Sequence, residues 1–338
     1  MKRKFDLLCL AIAITFVFLS SAETFGQVDL LGEVEIDGSS TVAPISSEAA
    51  DLFSEISPKV AVSVGVSGTG GGFKRFTKGD TDISDASRPI KQKEFAQCKE
   101  NNVAFIELPV AYDGLTIIVN KQNEFIDQLT VDQLKKIFRD DMKAAKWSDV
   151  KEGWPETEIE IFAPGTDSGT FDYFKEVMVK DEGAIRSDMS VSEDDHIIVQ
   201  GVSNTANAIG FLGAAYYFEN VDVLKAVPIV NPETEEAVAV SAETIESGAY
   251  APFSRPLFIY VNAKSARRPE VRKFVTFYLE NATELAEAVG YVGLPEEIQA
   301  TVMEHFTGKL TGTHFIDENG EKREGPVSEL YNAENLVK

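Results

Sequence analysis

From residue 33 onward, short β-prone apolar runs alternate with stretches of helical spacing, and several of the runs end in turns made of glycine and hydroxyl residues. Such alternation favours an α/β architecture with largely parallel sheets, since a chain returning to lay a parallel strand crosses back through a helix. The spacing predicts strands at Val34–Ile36, Val60–Val66, Ile83–Ala86, Val103–Val110, Leu115–Asn120, Ile159–Phe162, Ile209–Leu212, Val223–Ile229 and Leu257–Val261. Between and after them it predicts helices at 42–56, 73–77, 91–101, 130–139, 171–180, 269–279, 284–289 and 295–306. Thr130 is placed to cap its helix, and Pro269 and Pro295 suit a first helical turn.

Three turns share one chemistry: Asp37-Gly38-Ser39-Ser40-Thr41, Ser67-Gly68-Thr69-Gly70-Gly71-Gly72 and Gly165-Thr166-Asp167-Ser168-Gly169-Thr170. Each precedes a segment that can start a helix, so each offers free N–H groups and hydroxyls at the positive end of a helix dipole. Each also falls at the carboxyl end of a predicted strand, where an open α/β sheet places its ligands. That is anion-binding chemistry, although Ser39–Thr41 would serve equally as a helix cap and the glycine run as a tight turn.

Nucleotide motifs fail on inspection. In Gly68–Lys74 the lysine is not preceded by glycine, Arg75 stands where Ser or Thr should follow, and Phe73 occupies the last position of G-x-G-x-x-G. Asp167-Ser168-Gly169-Thr170 resembles half of an aspartic-protease site, but no second copy exists to share a proton. A hydrolase built on Ser168 or Asp167 would need a base, and His196, His305 and His314 lie in segments without a nucleophile partner. Nor does any C-x-x-C or H-E-x-x-H spacing point to a metal, and no cofactor is expected.

The chain of 338 residues, 43% hydrophobic, is long enough for two lobes with full cores. Its formal charge of -23 argues against nucleic acid or an anionic membrane as partner, because both select basic patches. Lys2, Arg3 and Lys4 followed by the apolar run Leu7–Leu19 and by Ser20 and Ala22 read as an export signal covering residues 1–22, with cleavage between 22 and 26. The run is shorter than the ~20 residues of a membrane span. After cleavage Cys98 stands without a partner, so no internal disulfide forms.

A fourth segment, Asp82–Ile90, supplies Asp85 and Arg88. A carboxylate beside a bound anion repels it unless the anion carries a proton, because an ionised Asp only accepts hydrogen bonds. Inorganic phosphate still carries a proton near neutrality, with hydrogen phosphate a major species, whereas sulfate has none. Beside a bound anion Asp85 would exclude sulfate; apart from one it is an exposed aspartate at a strand end.

Taken together, these strings resemble the substrate-binding proteins of ABC phosphate transporters, in the type II periplasmic binding-protein superfamily. The likeness runs over nearly the whole mature chain. It rests on Asp37–Pro44, Ser67–Lys74, Asp82–Ile90, Pro164–Phe171, Gly210–Gly213 and Ser254–Tyr260. It implies an α/β fold of two lobes, each a mixed or mostly parallel sheet flanked by helices, with the ligand in the cleft between them. Lobe 1 would comprise residues 30–111 and 256–338, and lobe 2 residues 112–255, the chain leaving near Val110–Leu115 and returning near Arg255–Leu257.

Carried over motif by motif, the resemblance implies phosphate contacts from Ser39, Ser40, Thr41, Ser67, Thr69, Asp85, Ser168, Gly169 and Thr170. Some members carry an arginine just before the Ser-Gly-Thr segment where this chain has Pro164–Asp167. Arg88 is the substitute expected here, with Arg255 a weaker candidate whose alternative role is to brace the hinge instead. The implied protein is a non-enzymatic, monomeric receptor, periplasmic or secreted, whose partners are inorganic phosphate and a membrane ABC permease. Another tetrahedral oxyanion such as sulfate or molybdate, a phosphatase or hydrolase, and a sensor or adhesin on the same fold are the alternatives.

Overall fold

The computed structural model describes residues 30–166, 168–179 and 183–338. The expected export signal and Asp167 lie outside them. The first part of the chain runs β1 (Gly32–Gly38), α1 (Ala43–Ile56), β2 (Val60–Val66), α2 (Gly68–Phe76), β3 (Ile83–Ala86), α3 (Gln92–Glu100) and β4 (Phe105–Asn120). There follow α4 (Val131–Phe138), α5 (Trp147–Val150), β5 (Glu160–Pro164), α6 (Gly169–Val179), β6 (Ser190–Ser192), α7 (Asp195–Asn204), β7 (Ala208–Gly213) and α8 (Ala214–Glu219). Then come β8 (Leu224–Ala226), β9 (Ile229–Val230), β10 (Ala237–Val238), α9 (Ala242–Glu246) and β11 (Ser254–Asn262). Four helices close the chain: α10 (Pro269–Glu280), α11 (Ala282–Ala288), α12 (Glu296–Gly308) and α13 (Val327–Leu330).

Among the described residues, nine strands form one curled mixed sheet in the order β2-β1-β3-β11-β4-β7-β5-β6, with β8 also paired to β4, while β9 and β10 make a separate antiparallel pair. Its two ends are parallel, β1 lying between β2 and β3, and β5 between β6 and β7. The antiparallel strands β11 and β4 join them. The α/β architecture is the one expected from the strand–helix alternation, and the crossing strands between two sheet halves are those the resemblance implies.

β4 is the element that ties the halves together. Residues 105–114 pair with β11, while Leu115–Val119 pair with β7 and Ile118–Asn120 with β8. All sixteen residues are buried, as a central strand covered on both faces requires. Two separate strands, Val103–Val110 and Leu115–Asn120, were expected over this stretch, with a break at 111–114. The register shifts between Leu257 and Phe258, opposite Ala111 and Pro109, and a proline is tolerated in a sheet at such an irregularity.

Helices cover the sheet through aromatic contacts. Phe53 of α1 meets Phe274 of α10 edge-on at 5.3 Å, Phe73 of α2 meets Tyr260 of β11 at 4.9 Å, and Phe174 of α6 stacks on Phe211 of β7 at 3.9 Å. Thr130 caps α4 by accepting the Gln133 N–H at 3.1 Å, as its spacing predicts. Pro269 stands in the first turn of α10, whereas Pro295 takes the cap position of α12.

The helices α5, α7, α8, α9 and α13 were not expected, and one expected helix starts elsewhere. The glycine run was read as a turn preceding a helix at residue 73, yet α2 starts at Gly68. Packing overrides the poor helix propensity of glycine here. A Cβ on Gly72 would lie 2.6 Å from Gly38 Cα and 2.8 Å from the Asp37 carbonyl, so only glycine lets α2 press onto β1. Among the described residues no helix is long and apolar enough to cross a membrane.

Candidate anion-binding site

Because β1, β2 and β3 are parallel neighbours, the turns after them open at one edge of the sheet. The close approach of the first and third is fixed by Ser39 N–H donating to the Asp85 carbonyl at 3.0 Å. A Cβ on Gly38 would fall 2.1 Å from that same carbonyl oxygen, which explains the glycine. Thr69, on the first turn of α2, accepts the Ser87 N–H at 3.2 Å and shares a hydroxyl–hydroxyl bond of 3.0 Å with it. The three turns are thereby tied into a single polar rim.

The fourth hydroxyl segment arrives from the other half of the sheet. Ser168 accepts the Thr170 N–H at 3.2 Å and starts α6, which lies across the rim. Ser40 donates to Asp172 of α6 at 3.2 Å, and a Cβ on Gly169 would stand 3.0 Å from Thr41 Cα. The start of α6 thus rests against the turn after β1. Between them lies a polar cleft of about 360 Å³.

Asp85 is fully buried, and neither carboxylate oxygen has a hydrogen-bond partner among the described residues. Burial pushes its carboxyl up to about 7, the nearby Ser46 hydroxyl works against this, and the charge of Asp37 adds to it. Asp37 itself is held by Arg75 at 2.8 Å. A buried acid without a partner costs free energy, so it calls for a ligand able to donate to it.

The family described as the PBP superfamily domain matches residues 24–282. "Protein SphX" of Synechococcus elongatus is 45% identical over 305 residues, 90% of this chain and 89% of its own length. "Phosphate-binding protein PstS" of Staphylococcus haemolyticus is 40% identical over 270 residues, covering 80% of this chain and 83% of itself. The crystal structure of a possible phosphate binding protein from Planctomyces limnophilus superposes with a TM-score of 0.80 at 44% identity, over 83% of this chain and 99% of that one. This chain belongs to the PstS-like branch of the PBP superfamily.

In this PstS-like chain the ten residues singled out from sequence fall into two groups. Ser39, Ser40, Thr41, Thr69 and Arg88 line the cleft. Asp85 lies beneath them, and Ser67, Ser168, Gly169 and Thr170 stand outside the lining. Ser67 is exposed at the start of α2, its hydroxyl over Gly71 where a Cβ would come within 2.6 Å of it. The capping role open to Ser39–Thr41 is not used on α1, because Val42 holds the cap position and no side chain caps there. Ser39 instead accepts the Thr41 N–H at 3.2 Å, which leaves its own proton to donate.

The arginines divide differently from expectation. Arg88 reaches the cleft wall, but its guanidinium is held fork-to-fork by Glu94 at 2.7 and 2.9 Å and also donates to the Pro89 carbonyl at 3.0 Å. Arg255, opposite Asp113 across β11 and β4, donates to Thr41 Oγ1 at 3.0 Å and to Asp113 at 3.2 Å. It also pairs with Glu176 at 3.2 Å and stacks on the Tyr173 ring at 3.6 Å.

Sequence reading missed Ser87, Asp113 and the acidic face of α6. Ser87 lay within a quoted segment, and Asp113 sat in what read as a strand break. Asp172 and Glu176 are four apart on one helical face, a spacing visible in sequence whose partners are not. Burial raises the Asp113 carboxyl above the ordinary carboxylate range while Arg255 opposes the shift. Among the described residues no three His, Cys, Asp or Glu side chains gather as a metal site needs.

Proposed function

We propose that this PstS-like chain is an exported, monomeric receptor that captures hydrogen phosphate between its lobes and passes it to an ABC-type membrane permease without a covalent step. The lobes comprise residues 30–111 with 256–338, and 112–255. The observation that carries the reading is Asp85. It is a fully buried carboxyl with no hydrogen-bond partner among the described residues, beside turns rich in hydroxyls, in a chain 40% identical to a protein named for phosphate binding. A protonated oxygen of the anion donates to Asp85, and hydroxyl and amide donors of Ser39, Ser40, Thr41, Ser67, Thr69, Ser168, Gly169 and Thr170 take the remaining oxygens. About ten such donors at roughly 1.5 kcal/mol net each, less several kcal/mol for association, support micromolar binding or tighter.

Isothermal titration of the mature protein with phosphate and with sulfate tests this. One saturable phosphate site and no sulfate heat at the same concentrations are expected, and Asp85→Asn should narrow the gap between the two anions. Sulfate bound as tightly as phosphate by the wild type would overturn the assignment. A chromogenic phosphate ester should stay intact, and turnover abolished by Ser168→Ala would make the chain an enzyme instead.

A further inference from the structure

Two arginines line the cleft, and their surroundings differ in kind. Arg88 is saturated by Glu94, whose side chain is itself largely buried at 15% exposure, so releasing that pair would strand a charge. Arg255 is held by two carboxylates of opposite character. Asp113 is fully buried and fixed beside it on the neighbouring strand, whereas the Glu176 side chain is 69% exposed at the end of a long, solvated stem. The first bond is permanent and the second is cheap to break, since an exposed ion pair is worth only ~0–1 kcal/mol.

Position adds to chemistry. Arg255 sits on the strand pair that runs from one half of the sheet into the other, and from there it touches Thr41 on one side and Tyr173 and Glu176 of α6 on the other. By donating to Thr41 Oγ1 it also obliges that hydroxyl to spend its proton elsewhere, which turns it toward an incoming oxygen.

Resting on the phosphate reading above, we propose that Arg255 is the cationic partner of the bound anion and that Glu176 holds its place when the cleft is empty. On capture, Nε keeps Asp113, Nη2 keeps Thr41, and Nη1 leaves Glu176 for a phosphate oxygen. Glu176 swings into solvent. The exchange removes a like charge from the mouth of the cleft as the anion arrives, and the guanidinium, still stacked on Tyr173 and bonded to Thr41, holds α6 against the turn after β1 around it. Glu176 therefore weakens binding and eases release.

The test uses the mature chain, with inorganic phosphate as probe, by isothermal titration and by small-angle scattering with and without phosphate. Glu176→Gln keeps the shape and removes the competing charge, so its phosphate Kd should fall about 3- to 10-fold and depend less on salt. Arg255→Lys keeps a charge but loses the fork, and should weaken phosphate at least ~30-fold while losing the ligand-induced compaction. Thermal melting confirms that each variant is folded. Should Arg255→Lys disturb folding, Glu176→Gln, altered at an exposed side chain, decides alone. A Glu176→Gln affinity equal to or below wild type overturns the proposal, as does Arg255→Lys binding and compacting like wild type, or a loss that appears in Arg88→Gln instead. Failure of the wild type to bind phosphate at all sinks the underlying reading itself, a result distinct from these.

Discussion

Burial at Asp85 raises a carboxyl to about 7 where neither oxygen has a hydrogen-bond partner among the described residues. Its folded pKa of about 7 lies above the ordinary value near ~3.9, so the stability tied to its neutral form is fully present below pH ~4 and lost as pH rises through ~7. About three units correspond to roughly 4 kcal/mol, an upper figure for a buried group. Asp85→Asn removes that titration. Urea denaturation of the phosphate-free variant should show it gaining on wild type by up to ~4 kcal/mol between pH 4 and pH 8, and parallel pH profiles would refute the assignment. The Ser39–Thr41 and Asp82–Ile90 strings stand out in the sequence because their composition is local. The engagement of Arg88 by Glu94, through the turn into α3, is not displayed there. Arg255 meets Thr41 from 214 positions away.

The elements that hold these residues are set by contacts that glycine permits. α2 begins inside a glycine run because Gly72 lies against the backbone of β1, and Thr69 reaches Ser87 only while the helix stays there. Gly72→Ala places a methyl 2.6 Å from Gly38 Cα, where backbone must give way. It should cost about 1–3 kcal/mol in thermal or urea unfolding and weaken phosphate by titration, the second effect exceeding that of Thr69→Ala. Strand ends at 60–66 and 83–86 were readable to the residue because alternation and flanking glycines are local signals. The length of β4 was not, since it depends on β11, distant in sequence, pairing through Pro109 and Asp113-Gly114 up to where β7 takes over at Leu115.

For the whole molecule the decisive contact is the start of α6 against the turn after β1. Gly169 leaves room for a single ordinary approach to Thr41, and its missing Cβ would stand 3.0 Å from Thr41 Cα and 3.4 Å from the Tyr291 hydroxyl. Gly169→Val should therefore leave each lobe folded yet hold the two apart. Scattering should show no compaction on adding phosphate, and titration should show weakened affinity. A variant that compacts and binds as wild type does would remove this contact from closure.

The sixteen buried residues of β4, paired with β11 over 105–114 and, beyond, with β7 on one flank and β8 on the other, form one continuous rail through the molecule. A rail resists stretching and sliding far more than flexing, and its ladder is irregular at the step opposite Leu257 and Phe258. Motion between the halves is thereby funnelled toward one bending coordinate. Any membrane machinery that must distinguish a laden receptor from an empty one then has a single angle to read.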